Sequence, residues 1–464
     1  MALIKSISGI RGTIGGVSGH NLTPTDIVEC AAAFGTWVLQ NEKNAKIVIG
    51  RDARISGNMV NQLVTQTLIS LGIDVVDLGL STTPTVEIAV PLEEAGAGIV
   101  ITASHNPKQW NALKFLNEKG EFISATDGAD ILSLLGTDKI TFATVDNLGS
   151  YQINNTYIQT HIDQILALPL VDKDVIKSKN FKIVVDVVNS TGAISIIPLL
   201  EQLGCEVITL FGEMTGQFAH NPEPLSENLQ ELSKAVVSSR AHLGIAVDPD
   251  VDRLAFVCED GEMFGEEYTL VTIADYVLNH KKGNTVSNLS STKALADVTE
   301  KHKSEYFSSA VGEVNVVEKM KAVNAVIGGE GNGGVIYPEL HYGRDAMVGV
   351  ALFLTQLAIF GKSASFLRSR YPSYFISKNK IEFQSDVDLG DIFDKLQEKY
   401  KKSQINTEDG LKITLPTGEW IHLRRSNTEP IVRIYSESNS EVVAGNLTQK
   451  IKADITDILQ SKQI

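Results

Sequence analysis

The chain has 464 residues, of which 43% are hydrophobic and 21% are charged, so it is long enough to bury several hydrophobic cores. We expect a soluble, globular protein of three or four domains. Its formal net charge of −15 argues against nucleic acid and against membranes as partners, because nucleic acid and anionic membranes are bound by basic surfaces.

The location expected from the sequence is the cytoplasm. Residues 1–6 include no extended apolar segment of the kind found in export signals, and no apolar run is long enough to span a bilayer. The three cysteines, Cys30, Cys205 and Cys258, have apolar neighbours and lack metal-ligand spacing, so we interpret them as buried thiols in a reducing compartment.

In chain order, one strand pattern occurs repeatedly. A lysine, an apolar strand and a polar loop occur at 44–52 and again at 180–186, and each is followed by a similar second strand, at 71–79 and 203–210. A third strand then ends at a polar loop in each case, and the strand before Glu330 looks like a further copy.

Helical stretches, such as 25–40 and 225–238, alternate with these strands. The pattern predicts an α/β protein with three similar domains, each with a mixed sheet sandwiched by helices. From about Tyr374 the pattern changes to a strand at 380–383, a helix at 389–400 and strands at 411–415 and 420–423, which indicates a C-terminal α+β domain. The predicted domains are 1–150, 151–255, 256–371 and 372–464, arranged around a central cleft, with a hinge near Tyr374.

The first polar loop, residues 102–107, places Ser104 directly after the apolar run 98–101. Loops at the carboxyl ends of strands carry the chemistry of α/β folds, and an exposed serine there can carry a covalent group. A serine in such a turn is also common as a helix N-cap.

The second polar loop follows the apolar run 243–247 and contains Asp248, Asp250 and Asp252 at alternate positions. Three close carboxylates repel one another unless a hard cation such as Mg²⁺ neutralises them, so we interpret this loop as a metal site rather than a solvated acidic turn. Arg253 follows immediately and could hold an anion beside the ion.

Two further loops favour a sugar phosphate as ligand. Residues 328–334 are rich in glycine, which permits close approach of the backbone, and they include Glu330 and Asn332, whose side chains suit sugar hydroxyls. A glycine-rich turn is also compatible with an ordinary hairpin. Residues 424–433 concentrate guanidinium, hydroxyl and amide groups that suit a phosphate monoester: Arg424, Ser426, Asn427, Thr428 and Arg433.

Together, and in this order, the four loops resemble those of the α-D-phosphohexomutase superfamily, and the resemblance extends over the whole chain. It implies one loop per domain: a phosphoserine loop, a metal loop, a sugar-binding loop and a phosphate-binding loop. By position, Ser104 would be the phosphoserine and a ligand of Mg²⁺ with Asp248, Asp250 and Asp252. Glu330 and Asn332 would contact the sugar. The substrate-binding residues implied in addition are Arg253, Arg424, Ser426, Asn427, Thr428 and Arg433.

The resemblance also implies roles for side chains around Ser104. Residues 8–12 look like the family's opening loop, in which Arg11 would contact the phosphorylated serine, and Lys114 matches the family's acid or base. His105 could help to neutralise the transferred phosphoryl group. Without the resemblance, the pattern favours an ordinary surface lysine on a strand for Lys114, and His105 could merely cap the turn.

The implied reaction moves a phosphoryl group from Ser104 to the sugar and forms a hexose 1,6-bisphosphate, which reorients and returns its other phosphate.

The metal loop keeps its carboxylates although Pro249 and Val251 replace commoner glycines. In the sugar and phosphate loops, Asn332, Arg425 and Asn427 replace the residues that are commonest at these positions in the family. These loop sequences are most similar to those of phosphoglucosamine mutases. Such enzymes interconvert glucosamine 6-phosphate and glucosamine 1-phosphate for UDP-N-acetylglucosamine synthesis. Phosphoglucomutase or phosphomannomutase activity is the alternative.

Two other classes of protein remain open. A phosphatase could use the carboxylates of the Asp248 loop as nucleophile and acid, which predicts net release of phosphate and no phosphoserine. A binding protein for sugar phosphate or Ca²⁺ would show no turnover. The expected partner is a small-molecule sugar phosphate, and the expected assembly is a monomer or a homodimer.

Overall fold

The computed structural model describes residues 3–6, 9–41, 43–382, 389–425 and 431–460. Four β-sheets organise these residues, in chain order, into three α/β units and a C-terminal unit. This arrangement confirms the predicted fold class. In the described residues, no helix combines the length and the apolar character that crossing a bilayer requires.

The first unit has a seven-stranded sheet in the order β1-β2-β6-β5-β3-β4-β7. Pro24 at the first position of helix α1 and the carboxylate of Asp26, which accepts a hydrogen bond from the backbone N–H of Thr23, explain why that helix starts where it does. The elements are β1 (Ile4–Ser6), β2 (Gly9–Thr13), α1 (Pro24–Gln40), β3 (Lys46–Arg51), α2 (Gly57–Ser70), β4 (Asp74–Leu80), α3 (Thr83–Leu92), β5 (Ala97–Ile101), β6 (Trp110–Leu116), α4 (Ala125–Leu134) and β7 (Tyr151–Ile153).

The second unit has a four-stranded sheet in the order β11-β10-β8-β9. Its elements are α5 (Tyr157–Leu166), α6 (Lys173–Ser178), β8 (Lys182–Asp186), α7 (Gly192–Gln202), β9 (Glu206–Leu210), α8 (Gln230–Ser239), β10 (Leu243–Val247) and β11 (Leu254–Cys258). The helix predicted at 225–238 starts later than expected, because Ser226–Asn228 form a 3-10 turn and Leu229 has a non-helical backbone.

The third unit has a four-stranded sheet in the order β13-β12-β14-β15. Its elements are α9 (Glu266–His280), β12 (Asn284–Asn288), α10 (Ala294–Lys301), β13 (Tyr306–Ser309), α11 (Glu313–Ala322), β14 (Ala325–Glu330), β15 (Gly334–Ile336), α12 (Ala346–Phe360) and α13 (Ala364–Arg368). Every residue from 346 to 358 of α12 is buried, because this helix packs inside a core that the second and third units share.

The same strand order occurs in all three units. Three parallel strands lie side by side (β5-β3-β4, β10-β8-β9 and β14-β12-β13), and an antiparallel strand borders the first of each set (β6, β11 and β15). The loops that hold Ser104, Asp248 and Glu330 therefore leave equivalent strands β5, β10 and β14. The repeated unit inferred from the sequence is present three times.

The C-terminal unit has an antiparallel sheet in the order β16-β20-β19-β18-β17, with helices packed on it. Its elements are β16 (Phe375–Glu382), α14 (Leu389–Lys399), β17 (Gln404–Asn406), β18 (Leu411–Thr414), β19 (Trp420–Arg425), β20 (Ile431–Ser438) and α15 (Glu441–Gln460). Each predicted element of the tail has a counterpart here. The predicted domain limits remain a prediction, and β7 and β11 extend a few residues beyond the limits at 150 and 255.

Candidate active site

Ser104 lies at the centre of the loop after β5 and is 6% exposed. Its backbone has a φ of 48°, in the left-handed region, and its backbone N–H donates to Thr102 Oγ1 at 2.9 Å. Thr102 Oγ1 donates in turn to Asp52 Oδ2 at 2.7 Å. These hydrogen bonds hold the loop in one conformation. They do not involve the Ser104 hydroxyl, which therefore stays available for other contacts.

Arg54 supports the same loop from beneath. Its guanidinium pairs with Asp52 at 3.0 Å and donates to the carbonyl groups of four loop residues, Ser104, Asn106, Pro107 and Trp110. Sequence reasoning missed both residues: Asp52 lies at the end of the segment 44–52, and Arg54 lies outside it. The signal that could have found them is an acidic and a basic residue two positions apart directly after a buried strand.

The three aspartates predicted as metal ligands are fully buried, and one carboxylate oxygen of each lies within 4.8 Å of the others. Burial and the charges of Asp252 and Asp250 raise the pKa of Asp248 well above its ordinary value. Asp250 Oδ1 and Asp252 Oδ1 accept no hydrogen bond from any described residue. An all-carboxylate set with free, buried oxygens fits a hard divalent cation.

The structure brings Ser104 and this acidic loop together. Ser104 Oγ donates to Asp248 Oδ2 at 2.6 Å, and His105 Nδ1 lies 3.4 Å from the same hydroxyl oxygen. The loops after β5 and β10 thus meet at the serine. Burial, followed by the positive charge of Arg253, lowers the pKa of His105 to about 2, so this imidazole is neutral.

Lys114 is not an ordinary surface lysine. It lies on β6, and its Nζ is 2.8 Å from Asp250 Oδ2 and 3.7 Å from Asp252 Oδ2. Burial alone would lower the pKa of Lys114, but the charges of these two aspartates outweigh that effect and raise it. The lysine is therefore a cation next to the acidic loop. Thr83, which the sequence did not single out, donates to Asp250 Oδ2 at 2.6 Å.

Cationic side chains from three units surround the serine loop. Arg11 on β2 donates to Asn106 Oδ1 at 3.3 Å, and Arg253 donates to Glu223 Oε1 at 2.8 Å. The pKa of Arg11 is lowered first by burial and then by the charges of Arg433 and Arg253, so both of these guanidinium groups repel that of Arg11. Such a group of cations favours a bound anion.

The sugar loop is connected to the acidic loop by Arg344. This buried guanidinium donates to Glu330 Oε2 at 2.9 Å, to Glu313 Oε2 at 2.9 Å and to Asp252 Oδ2 at 2.7 Å. Glu330 Oε1 accepts from Asn288 and from the backbone of Gly312. Nothing in the sequence pattern marked Arg344, because its three partners come from distant segments.

The remaining predicted site residues are placed as follows. Asn332 Oδ1 accepts from the backbone N–H of Gly334 within the glycine-rich turn. Arg424 and the exposed Arg433 lie opposite each other on β19 and β20, and Arg424 pairs with Asp409 at 2.7 Å. Ser426, Asn427 and Thr428 lie outside the described residues.

Family models match the chain in four consecutive segments. Those of the phosphoglucomutase/phosphomannomutase alpha/beta/alpha domains I, II and III match residues 4–140, 159–261 and 265–374, and that of the C-terminal domain matches 382–453. The chain belongs to the phosphoglucomutase/phosphomannomutase family. The resemblance drawn from the four loops is confirmed, and so is the predicted class of enzyme, a phosphohexomutase.

Full-length relatives support this membership. The phosphoglucosamine/phosphogalactosamine mutase of Sulfurisphaera tokodaii is 33% identical over 459 residues, which cover 97% of this chain and 99% of that protein. The phosphoglucomutase/phosphomannomutase of Thermococcus kodakarensis is 34% identical over 437 residues, which cover 93% and 94%. The crystal structure of a family protein from Burkholderia thailandensis superposes with a TM-score of 0.84 at 25% identity and covers 98% of both chains.

Proposed function

We propose that this phosphohexomutase interconverts glucosamine 6-phosphate and glucosamine 1-phosphate, with Ser104 as the residue that carries the phosphoryl group. The observation that carries the proposal is the hydrogen bond of Ser104 Oγ to Asp248, at the point where the acidic loop, Lys114 and His105 meet. Relatives named as phosphoglucosamine mutases support the choice of sugar.

In the first half-reaction, the bond between Ser104 Oγ and phosphorus breaks, and a bond from phosphorus to the free hydroxyl oxygen of the sugar phosphate forms. The product is glucosamine 1,6-bisphosphate, and the serine ends as a free hydroxyl that donates to Asp248. After the bisphosphate reorients, its other phosphoryl group returns to Ser104. Since the acceptor hydroxyl loses a proton and the serine gains one, we assign the acid to Lys114, which is protonated beside the acidic loop: it would supply the serine's proton and be restored by the proton that the acceptor loses.

Asp248, Asp250 and Asp252, with the phosphorylated Ser104, would hold Mg²⁺. When bound, Mg²⁺ would reduce the negative charge on the phosphoryl oxygens. Lys114 and Arg11 add positive charge on the side of the first unit. The free oxygens of Asp250 and Asp252 support this assignment, because a buried carboxylate oxygen without a partner is costly unless a ligand satisfies it.

Substrate contacts are proposed for three loops. Arg253, Arg424 and Arg433 would bind the phosphate that does not react, together with Ser426, Asn427 and Thr428. Glu330 and Asn332 would contact the sugar hydroxyls. Because the sugar must bind in two orientations, the phosphate site has to hold one end firmly while the sugar loop accepts either arrangement of hydroxyls.

A cytoplasmic location is also proposed. Burial raises the pKa of the thiols of Cys30, Cys205 and Cys258 to about 12, so these side chains remain protonated and unreactive in the fold. None of the three takes part in a disulfide.

The experiment is a comparison of isomerisation rates on glucosamine 6-phosphate, glucose 1-phosphate and mannose 1-phosphate, by protein loaded with Mg²⁺ and phosphorylated with glucose 1,6-bisphosphate. We expect the glucosamine phosphate to react fastest, and Ser104→Ala to reduce turnover by about 10³-fold or more. Ser133→Ala, on the exposed side of α4, is the matched control.

Intact-mass measurement shows whether one phosphoryl group is present in the wild type and absent in Ser104→Ala. If glucose or mannose phosphates react faster, the proposed sugar is wrong and the phosphoserine chemistry stands. If Ser104→Ala keeps full turnover, the proposed mechanism is wrong.

A further inference from the structure

A second cluster of potential metal ligands lies apart from the aspartate triad, where the three α/β units meet. It consists of His161 on α5, His341 in the loop before α12 and Asp345 at the N-cap of α12. One ligand atom from each of these residues lies within 4.8 Å of the others, and His161 and Asp345 are fully buried. The cluster has no part in the phosphoryl transfer proposed above.

The two histidines point the same ring nitrogen at one carboxylate oxygen. Nε2 of His161 is 2.9 Å from Asp345 Oδ2, and Nε2 of His341 is 3.3 Å from the same oxygen. In a tetrahedral zinc site with bonds of about 2.0 Å, neighbouring ligand atoms are roughly 3.3 Å apart. Both nitrogen–oxygen distances are therefore close to the spacing of ligands around one small cation, and the ligand atoms of all three residues lie within 4.8 Å of one another.

The opposite ring nitrogens also have the partners that metal-bound histidines require. His161 Nδ1 is 3.0 Å from Thr85 Oγ1, and His341 Nδ1 is 3.3 Å from Glu87 Oε2. Both partners lie on α3 of the first unit. Histidines that bind metals through one nitrogen generally donate the other N–H to a carboxylate, carbonyl or hydroxyl group, which fixes the ring and the tautomer.

The charge of the cluster favours a cation as well. Glu87 is 2% exposed; its Oε2 has the contact with His341 Nδ1 at 3.3 Å, and its Oε1 accepts no hydrogen bond from any described residue. With neutral imidazoles, ionised Glu87 and Asp345 would leave two negative charges in a buried region, which is strongly unfavourable, and burial with the charge of Glu313 accordingly raises the pKa of Glu87 to about 8. One divalent cation would neutralise both.

We propose that His161 Nε2, His341 Nε2 and Asp345 Oδ2 form a structural site for a divalent transition-metal ion of the zinc class. Two imidazoles and one carboxylate suit such an ion rather than Mg²⁺, which prefers oxygen ligands alone. His341 keeps 12% of its side chain exposed, so a water molecule can reach the fourth position. The ion would join α5 of the second unit to α12 of the third and, through Thr85 and Glu87, to α3 of the first.

A proton bound to His341 is an alternative to a metal ion at this site. Burial alone would lower the pKa of His341, but its contacts with Asp345 and Glu87 raise it to about 10. A protonated His341 would neutralise one of the two negative charges and leave the other. An experiment therefore has to separate metal binding from protonation of His341 or of Glu87.

Co²⁺ is the appropriate probe, because a four-coordinate ion with nitrogen ligands absorbs visible light strongly and an ion with only oxygen ligands absorbs weakly. The full-length protein is treated with chelator, dialysed and titrated with Co²⁺ near neutral pH. We expect two equivalents to bind and a strong visible band to appear with one of them. Asp250→Asn should keep this band, whereas His341→Asn should lose it together with one equivalent.

Chelation should also lower the melting temperature of the wild type more than that of His341→Asn, and addition of Zn²⁺ should reverse the loss. His341→Asn is preferred to a change at the fully buried His161, and circular dichroism confirms that the variant is folded. The proposal is overturned if the wild type binds a single equivalent that Asp250→Asn abolishes, or if the visible band survives in His341→Asn. The first result would assign the charge balance to protons on His341 or Glu87.

Discussion

Arg344 binds three carboxylates, those of Asp252, Glu313 and Glu330, and is itself 9% exposed. It therefore connects the acidic loop of the second unit to the sugar loop of the third. Because all four groups are buried, the guanidinium is the charge that keeps three anions in one place. Its role is to position Asp252 and Glu330 rather than to react.

Removal of this charge should destabilise the fold strongly. For Arg344→Gln we expect the free energy of unfolding to fall by about 3–5 kcal/mol, because three buried carboxylates lose their counter-ion. Urea denaturation measures the change. Lys378→Gln, which breaks an exposed ion pair with Glu266, should cost no more than about 1 kcal/mol, and an equal loss in both variants would contradict the prediction.

His220 is a second residue whose charge matters. Its Nε2 is 2.9 Å from Asp186 Oδ2, and its Nδ1 is 2.7 Å from the carbonyl oxygen of Asn221. Burial lowers the pKa of His220, but the hydrogen bond to Asp186 and the charge of that carboxylate outweigh burial and raise it above 6.5. The proton is therefore bound more tightly in the folded than in the unfolded chain.

The stabilisation of the fold by the contact between His220 and Asp186 should be fully present below a pH of about 6.5. It should be lost as the pH rises through the pKa of His220 in the folded state. We expect the difference in unfolding free energy between the wild type and His220→Gln to shrink as the pH is raised from about 6 to about 9. Urea denaturation at several pH values tests this. Asp186→Asn should lose the same pH-dependent part, and a difference that grows with pH would count against the assignment.

Helix α12 shows how an element joins two units. Phe353 on this helix stacks on Phe256 of β11, with ring centroids 3.8 Å apart, and meets Phe264 edge to face at 5.1 Å. Phe256 belongs to the sheet of the second unit, whereas α12 follows the sheet of the third. The two units consequently share one core and should unfold together.

Phe353→Ala should lower the free energy of unfolding by about 3–5 kcal/mol, because it leaves a cavity beside the rings of Phe256 and Phe264. Hydrogen exchange of β10 and β14 should accelerate in parallel, since both sheets depend on the shared core. Phe366→Ala, at a ring that is 48% exposed, is the control and should change little. Faster exchange in β14 alone would show that the two units are independent.

The elements were predictable from the sequence to different degrees. The strands before Ser104, Asp248 and Glu330 are apolar runs that end in polar turns, and local chain chemistry is enough to indicate them. The contacts of Thr83 and Arg344, and those of Arg54 with residues 104–110, were not predictable, because the partners lie far along the chain. The start of α8 was predicted too early, since the turn at Ser226–Asn228 resembles a first helical turn in its composition.

At the scale of the whole molecule, the C-terminal unit contributes charge to a site built mainly by the other three. Arg433 is exposed on β20. Its charge, like that of Arg253 of the second unit, lowers the pKa of Arg11 of the first unit. The repulsion of Arg11 by these two guanidinium groups favours an anion between them. The anionic substrate would then bind the C-terminal unit to the rest of the molecule.

Arg433→Gln should raise the KM for the sugar phosphate by about tenfold, which corresponds to the loss of one charge-assisted contact of roughly 1.4 kcal/mol. The effect should decrease at high ionic strength, because salt screens exposed charges. Steady-state kinetics at two salt concentrations measure both. Lys401→Gln, an equal change of charge on an exposed side chain, should leave KM unchanged, and an unchanged KM in Arg433→Gln would exclude the proposed contact.

The segment before the C-terminal unit is held at two points, since Tyr268 Oη donates to the carbonyl oxygen of Pro372 and accepts from the backbone N–H of Tyr374. Rotation near these residues would move the C-terminal sheet as one body. We expect bound glucose 1,6-bisphosphate to reduce the radius of gyration in small-angle X-ray scattering. Scattering curves that do not change on binding would contradict the hinge.

The identical strand order of the three α/β units has a consequence for how such an enzyme can diversify. Each unit presents its loop from the same corner of the same sheet, so a loop can change in length or chemistry while the sheet beneath it keeps its register. The loops proposed to hold the phosphoryl group, the cation and the sugar can therefore differ in chemistry on a common frame, provided that Asp252 and Glu330 keep their contacts with Arg344. Transplanting residues 331–333 from a relative with a different sugar preference would change the turn between β14 and β15 and leave both strands intact.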